Sequence, residues 1–316
     1  MTNDLEFAGI LVPPNSRHSV ELPVSRLPNG SDLSLPVQIV NGAGPGPSLW
    51  LSAAIHGNEI NGVEIIRRVL EHVEPSRLRG ALYVVPVVNV FGFLQQSRYL
   101  PDGRDLNRSF PGSPRGSLAA RIASLFLSEV VAHCQYGVDL HTAGEGRTNL
   151  PQVRADLDDA KTLELARAFG APVLLHKQTR DGSLRECAQR RGARTLLYEG
   201  GEPSRFDAWA IEAGVRGVLA VLGGLEMIDS VERAAASVEQ AECRASSWIR
   251  AGAGGIYRAS VDLGQEVSKG ESLGFIGDPL GADRRAVRAP AQGVVIGMTT
   301  NPLVYRGDAL VHLGTL

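Results

Sequence analysis

The sequence predicts an α/β protein, with a mixed, largely parallel sheet flanked by helices and a small all-β domain at its C-terminal end. Three observations carry this. Two apolar runs without alternation, at 48–55 and 81–90, bracket a segment of helical period. Strands apolar on both faces and joined by helices form parallel sheets. Ahead of them lie Pro-punctuated stretches that alternate polar and apolar residues, and behind Trp248 short β-like pieces alternate with glycine turns.

In chain order, residues 1–46 read as N-terminal antiparallel edge strands, at 18–24 and 33–40, joined to the main α/β domain. Their prolines confine them to edges. That domain spans 47–230. It opens with a buried strand ending at Ile55 and a helix over 60–73, with Ile60, Val63, Ile66, Val69 and Leu70 on one face. A buried strand follows over 81–90. Residues 91–114 have no regular period, and a loop of that length within a compact domain is usually functional. A helix capped by Ser117 is expected over 117–133, then a strand over 136–140 ending at His141. Helices over 158–169, 183–191 and 214–228 alternate with strands over 171–176 and 195–198, the second ending at Glu199. Charged, Ala/Ser-rich residues form a helical linker at 231–246, and 247–316 form the C-terminal β domain.

With 43% hydrophobic and 21% charged residues the chain is an ordinary globular protein. A formal net charge of -2 argues against a nucleic-acid surface, which needs a strong basic excess. Arginine supplies nearly all of the positive charge, since lysine occurs only at 161, 177 and 269. Cys134, Cys187 and Cys243 are isolated and odd in number, which fits a reducing compartment without disulfides. The segment 1–6 lacks the basic and apolar regions of a signal peptide, and no apolar run reaches the length of a membrane span. The expectation is a cytoplasmic chain with no membrane partner.

Three strand ends carry polar residues: Ile55 precedes His56, Leu140 precedes His141, and Tyr198 precedes Glu199. In an open parallel sheet the carboxyl ends of the strands face one crevice, where ligands bind. His56, Glu59 and His141 there make the His2Glu set of a catalytic zinc, one ion per chain, with a short and a long spacer. Glu199 stands apart from that set as a candidate general base. Taken singly each has a bland alternative: a strand-end histidine is most often hydrogen-bonded scaffold, and Glu199 before two glycines can cap a turn. Their coincidence at one sheet edge favours chemistry. The long loop adds Arg98, Arg104, Asn107 and Arg108, suited to gripping a carboxylate and polarising a carbonyl; the alternative is a solvated loop of structural Asp–Arg pairs.

The motifs His56-Gly57-Asn58-Glu59, Asp105-Leu106-Asn107-Arg108, Asp139-Leu140-His141-Thr142 and Glu199-Gly200-Gly201 occur in this order. Together they resemble the succinylglutamate desuccinylase/aspartoacylase family, relatives of the zinc carboxypeptidases, over roughly residues 45–230. The resemblance implies a zinc-carboxypeptidase-like sheet, zinc on His56, Glu59 and His141, and Glu199 as catalytic acid/base. It gives Asn107 and Arg108 the substrate carboxylate and makes Arg185 a second carboxylate-binding arginine. Arg98 resembles the carbonyl-polarising arginine at an unusual spacing, with Arg104 as its rival. The C-terminal domain resembles a biotinyl/lipoyl barrel sandwich, but its 277–285 hairpin has no lysine, so no carrier role is expected.

The expected function is hydrolysis of the amide bond of a small N-acylated carboxylate, such as an N-acyl amino acid. A metallocarboxypeptidase shares every motif, and a non-catalytic binding protein on this fold is the rival from another class. The sequence leaves assembly into a homo-oligomer open.

Overall fold

The computed structural model describes residues 4–27, 29–177, 181–229, 240–281 and 283–316. A hairpin of β1 (Leu5–Phe7) and β2 (Ile10–Val12) leads into β3 (Ser16–Arg26), β4 (Asp32–Asn41) and β5 (Gly44–Ala53). Then come α1 (Asn61–His72), β6 (Arg79–Val85), α2 (Val90–Leu94), α3 (Leu118–Leu125), β7 (Tyr136–His141) and β8 (Arg147–Ala155). The catalytic region continues through α4 (Ala160–Phe169), β9 (Val173–His176), α5 (Leu184–Arg190), β10 (Arg194–Gly201) and α6 (Ala208–Gly224). The C-terminal region holds β11 (Ala241–Cys243), β12 (Ala245–Arg250), β13 (Gly255–Ala259), β14 (Glu266–Val267) and β15 (Ser272–Gly277). It ends with β16 (Arg284–Arg288), β17 (Gly293–Thr299), β18 (Leu303–Val304) and β19 (Ala309–Thr315).

The architecture is the expected mixed α/β sheet flanked by helices with an all-β C-terminal part. Strands β10, β7, β5 and β6 form its parallel centre. Strands β3 and β4 are antiparallel, but only β3 is an edge: β4 lies between β3 and β6, and Pro36 falls outside the 38–41 stretch that pairs with β6. Both faces of the centre are covered, and β5 shows why it reads as one apolar run. Leu49, Leu51 and Ala53 join the core under α1, α4 and α6, while Trp50 joins the opposite core with Tyr83, Phe126 and Leu35. Helix α1 lies close on the sheet because Gly62 carries no side chain: a Cβ there would stand 2.7 Å from Ala53 Cβ and 2.8 Å from Leu140 Cβ. That contact seats the helix start, with its chemistry, against the ends of β5 and β7.

Some local expectations change. The predicted helix over 117–133 is capped by Ser117 but passes from α3 into a π turn at Phe126–Val130 and a 3-10 turn at Val131–His133. The expected linker lies partly outside the described residues, at 230–239, and its end is not helical, because 241–243 and 245–250 are strands. Strand β8 was not anticipated. Its Pro151 argues against a central strand, yet β8 lies inside the sheet, antiparallel to β10. The register resolves this. On its other side β8 pairs with β17 as far as Asn149 and with β9 from Gln152, so Pro151 falls where no ladder partner is needed.

Through β8 the C-terminal region continues the main sheet, in the order β12-β19-β17-β8-β10. A second, four-stranded sheet, β16-β15-β13-β18, closes it into a sandwich around Leu273, Val295, Leu310 and Val311. Among the described residues no helix is long and apolar enough to cross a membrane.

Candidate active site

The site begins where β5 ends. Ala54 takes a left-handed φ of 48°, uncommon for a residue with a side chain, and the chain turns there towards His56. Gly57 then packs against the backbone of Gly92 and Phe93, where any Cβ would overlap. His56, Glu59 and His141 are all buried, and their ligand atoms lie within 4.8 Å of one another. The carboxylate of Glu59 sits between the two imidazoles: His56 Nδ1 is 2.8 Å from one oxygen and His141 Nδ1 is 2.7 Å from the other.

The far nitrogens settle which atoms face inward. His141 Nε2 lies 2.9 Å from Asp139 Oδ2, and His56 Nε2 lies 3.2 Å from Asp105 Oδ1. A carboxylate can only accept, so both Nε2 atoms carry protons; each Nδ1 faces Glu59, as a donor when the ring is protonated and as a lone pair when it is neutral. Asp139 is held in turn by Ser52 Oγ at 2.8 Å, and Asp105 by the backbone N–H of Asn107 at 2.8 Å. In the neutral form two lone pairs would face a carboxylate, an arrangement that a cation between them would satisfy.

The residues fit a divalent metal. His56 Nδ1 is buried and makes no hydrogen bond among the described residues, close as it is to Glu59. Glu59 and Asp105 face the guanidinium of Arg98 and Asp139 faces His141, so three carboxylates gather around two imidazoles, a set suited to a dication. Burial alone would raise the Glu59 carboxyl, but the charges of His56 and His141 outweigh it and hold the group well below the usual range. Burial would lower His141, yet Asp139 and Glu59 push it well above the ordinary histidine value. The nitrogen and oxygen donors, two His and one Glu, are those of catalytic zinc sites.

Other sequence-derived candidates fall out as follows. Glu199 is in register with His141 on the adjacent parallel strand, so the two strand ends do converge. Arg98 reaches the trio, donating to Glu59 Oε1 at 3.0 Å and to Asp105 Oδ2 at 3.2 Å. Arg104 does not: it pairs with Asp102 and its side chain is 56% exposed. Asn107 is buried, and its Oδ1 accepts from the Leu184 N–H at 3.0 Å, pinning the long loop to the start of α5. Arg108 donates to the Asn107 carbonyl and adds positive charge near Asp105. Arg185 is buried and pushed down to about 10, first by burial and then by the charge of Arg154.

Asp105 and Asp139, which meet the histidines, and Asn149 and Arg154, which meet Glu199, had no assigned role in the sequence. Asp139 carried a signal, since i and i+2 on one strand share a face with His141. Asn149 and Arg154 carried none, because they lie on the unanticipated β8.

Residues 45–225 match the model of the succinylglutamate desuccinylase/aspartoacylase catalytic domain. The chain belongs to this family. An N-alpha-acetyl-L-2,4-diaminobutyric acid deacetylase of Halomonas elongata is 27% identical over 292 residues, 87% of this chain and 84% of that protein. The crystal structure of a succinylglutamate desuccinylase/aspartoacylase from Rhodobacter sphaeroides is 28% identical, with a TM-score of 0.83 and 94% of each chain covered. The product-bound ectoine utilization protein EutE (DoeB) of Ruegeria pomeroyi shares the fold, with a TM-score of 0.85 at 22% identity. That match covers 96% of this chain and 97% of the other. Both structural matches extend through the C-terminal region as well as the family's catalytic core.

Proposed function

We propose that this family member is a zinc-dependent deacylase that hydrolyses the amide bond of an N-acyl amino acid. The observation that carries the reading is the buried trio, in which both Nδ1 atoms meet Glu59 while each Nε2 is fixed by its own carboxylate. A zinc ion on His56, Glu59 and His141 would supply a Lewis acid for the amide carbonyl and an acidified water. Glu199 takes the proton of the attacking water and returns it to the leaving amine. Arg98, the arginine nearest the trio, receives the carbonyl oxygen, and Arg104 has no part.

Arg108 grips the substrate carboxylate on the loop that Asn107 pins down, and buried Arg185 serves as a second cation for an acidic group. The Halomonas relative supports an N-acetyl diamino acid as the first substrate to try. Zinc content measured together with hydrolysis of N-acetyl, N-succinyl and N-acetyl-diamino acids beside short peptides tests the proposal. Turnover of acyl amino acids over peptides is expected. Preference for peptides would move the reading to a carboxypeptidase, and absence of both zinc and turnover would overturn it.

A further inference from the structure

Glu199 does not stand free at the end of β10. Arg154 NH1 lies 2.6 Å from its Oε1, and Asn149 Nδ2 donates to its Oε2. Both partners sit on β8, and both are braced from the C-terminal region. Gln152 links Arg154 to that region: its Oε1 accepts from Arg154 Nε at 3.2 Å, while its Nε2 donates to the Ile296 carbonyl at 2.9 Å. Asn149 lies in a row of register partners that crosses five strands, Gly201, Asn149, Gly297, His312 and Trp248. Gly297 is the tight point of the row. A Cβ there would stand 2.5 Å from Asn149 Oδ1 and 3.4 Å from His312 Cβ. His312 stacks on Trp248 with ring centroids 4.6 Å apart, and Arg147 covers the indole at 5.2 Å.

We infer that the C-terminal β region is a positioning element of the active site, acting through Asn149 and Arg154 on the carboxylate of Glu199. The inference rests on the reading of Glu199 as the acid/base. The last torsion of a glutamate is broad and nearly two-fold, so the chain itself does not aim the carboxylate. Donors on both oxygens, from one strand, do aim it. A proton-transfer group displaced by about 1 Å can lose on the order of 100-fold in rate, so the bracing bears on turnover rather than on substrate binding. A barrel-sandwich region without a carrier lysine thus has a task within the same chain: it backs the strand that holds the base.

The test uses full-length, zinc-loaded protein and whichever N-acyl amino acid the wild type hydrolyses fastest. In Gly297→Ala and in Asn149→Ala, kcat should fall by about tenfold or more. KM should stay within about twofold, and bound zinc should not change. Arg154→Ala should behave alike, with Arg154→Lys recovering part of the loss. In the Glu199→Gln background the Asn149 and Arg154 substitutions should cost nothing further, because the group they aim has been removed. A crystal structure of Gly297→Ala should show Asn149 displaced from residue 199. Should Gly297→Ala not fold, Asn149→Ala removes the same contact without added bulk. Unchanged kcat in Asn149→Ala and Arg154→Ala, or an equal fold-loss in both backgrounds, would overturn the inference while leaving Glu199 as the base. Full activity in Glu199→Gln would overturn the reading of Glu199 and the inference with it.

Discussion

His141 of the trio and Glu199 lie in register on neighbouring parallel strands, yet the trio and Glu199 are supported in opposite ways. The trio is braced entirely from within the catalytic region, by Asp139, Asp105, Arg98 and the Thr142 N–H. Glu199 is braced by an antiparallel strand that the C-terminal region backs. The braces of the trio lie at the end of β7 and in the long loop that carries Arg98 and Asp105. On the proposed reading, the difference would separate metal affinity from turnover, so that each could be perturbed on its own.

The largest effect belongs to the trio. His56→Ala and His141→Ala should lose most bound zinc by elemental analysis, with activity down by roughly 1,000-fold or more, since the Lewis acid and the acidified water go together. Zinc retained in both variants at the wild-type level would sink the metal assignment.

Arg98 and Arg104 come next, because the structure separates two residues that the sequence left as rivals. Arg98→Ala removes a donor at the reacting centre and should lower kcat/KM on the order of 100-fold. Arg104→Ala breaks an exposed pair with Asp102 and should stay within about threefold of wild type, as surface ion pairs contribute little. The reverse ranking would assign the carbonyl to Arg104. A smaller effect, and one confined to the cage, is expected of Asp139→Asn. It exchanges an acceptor-only partner of His141 for an amide, and zinc affinity should fall about 10- to 100-fold by competition with a chelator. Asn149→Ala should leave that affinity alone, and equal losses in the two variants would erase the separation.

What the sequence revealed follows the same division. The trio could be read because its residues terminate apolar strands, and topology alone brings the ends of parallel strands together. Glu199 could be read for the same reason. Its braces could not. Strand β8 is polar and interrupted by Pro151, and it is stabilised by partners as far away as Gly297 and Thr299, which no local pattern reports. Which of Arg98 and Arg104 reaches the trio could be seen only in the fold, since both belong to one loop without period. The C-terminal glycines were visible as turn signals, but Gly297 serves as a close-approach point inside a strand. Nothing in the spacing of residues distinguishes the two uses.

The smallest effect concerns the seam and the pH dependence of its stability. His312 is buried beside Trp248, and its Nδ1 has no hydrogen-bond partner among the described residues. Burial above all, and then the charges of Arg154, Lys177 and Arg147, push it down to about 3. In the unfolded chain a histidine titrates near 6.5. Between these values the unfolded state binds more protons than the folded one. The stability contributed by this group is therefore present in full above about 6.5 and is lost progressively as pH falls towards 3. Each pH unit inside that window costs at most about 1.4 kcal/mol, so wild type should lose roughly 2 kcal/mol between pH 6.5 and 5 from this group alone. His312→Phe keeps a ring to stack on Trp248 and removes the titration. Urea unfolding at the two pH values should then show a shallower loss for the variant. Hydrogen exchange should place the wild-type loss in β12, β17 and β19, before the strand ends that carry the trio. Equal slopes in wild type and His312→Phe would mean that His312 is not held neutral in the seam.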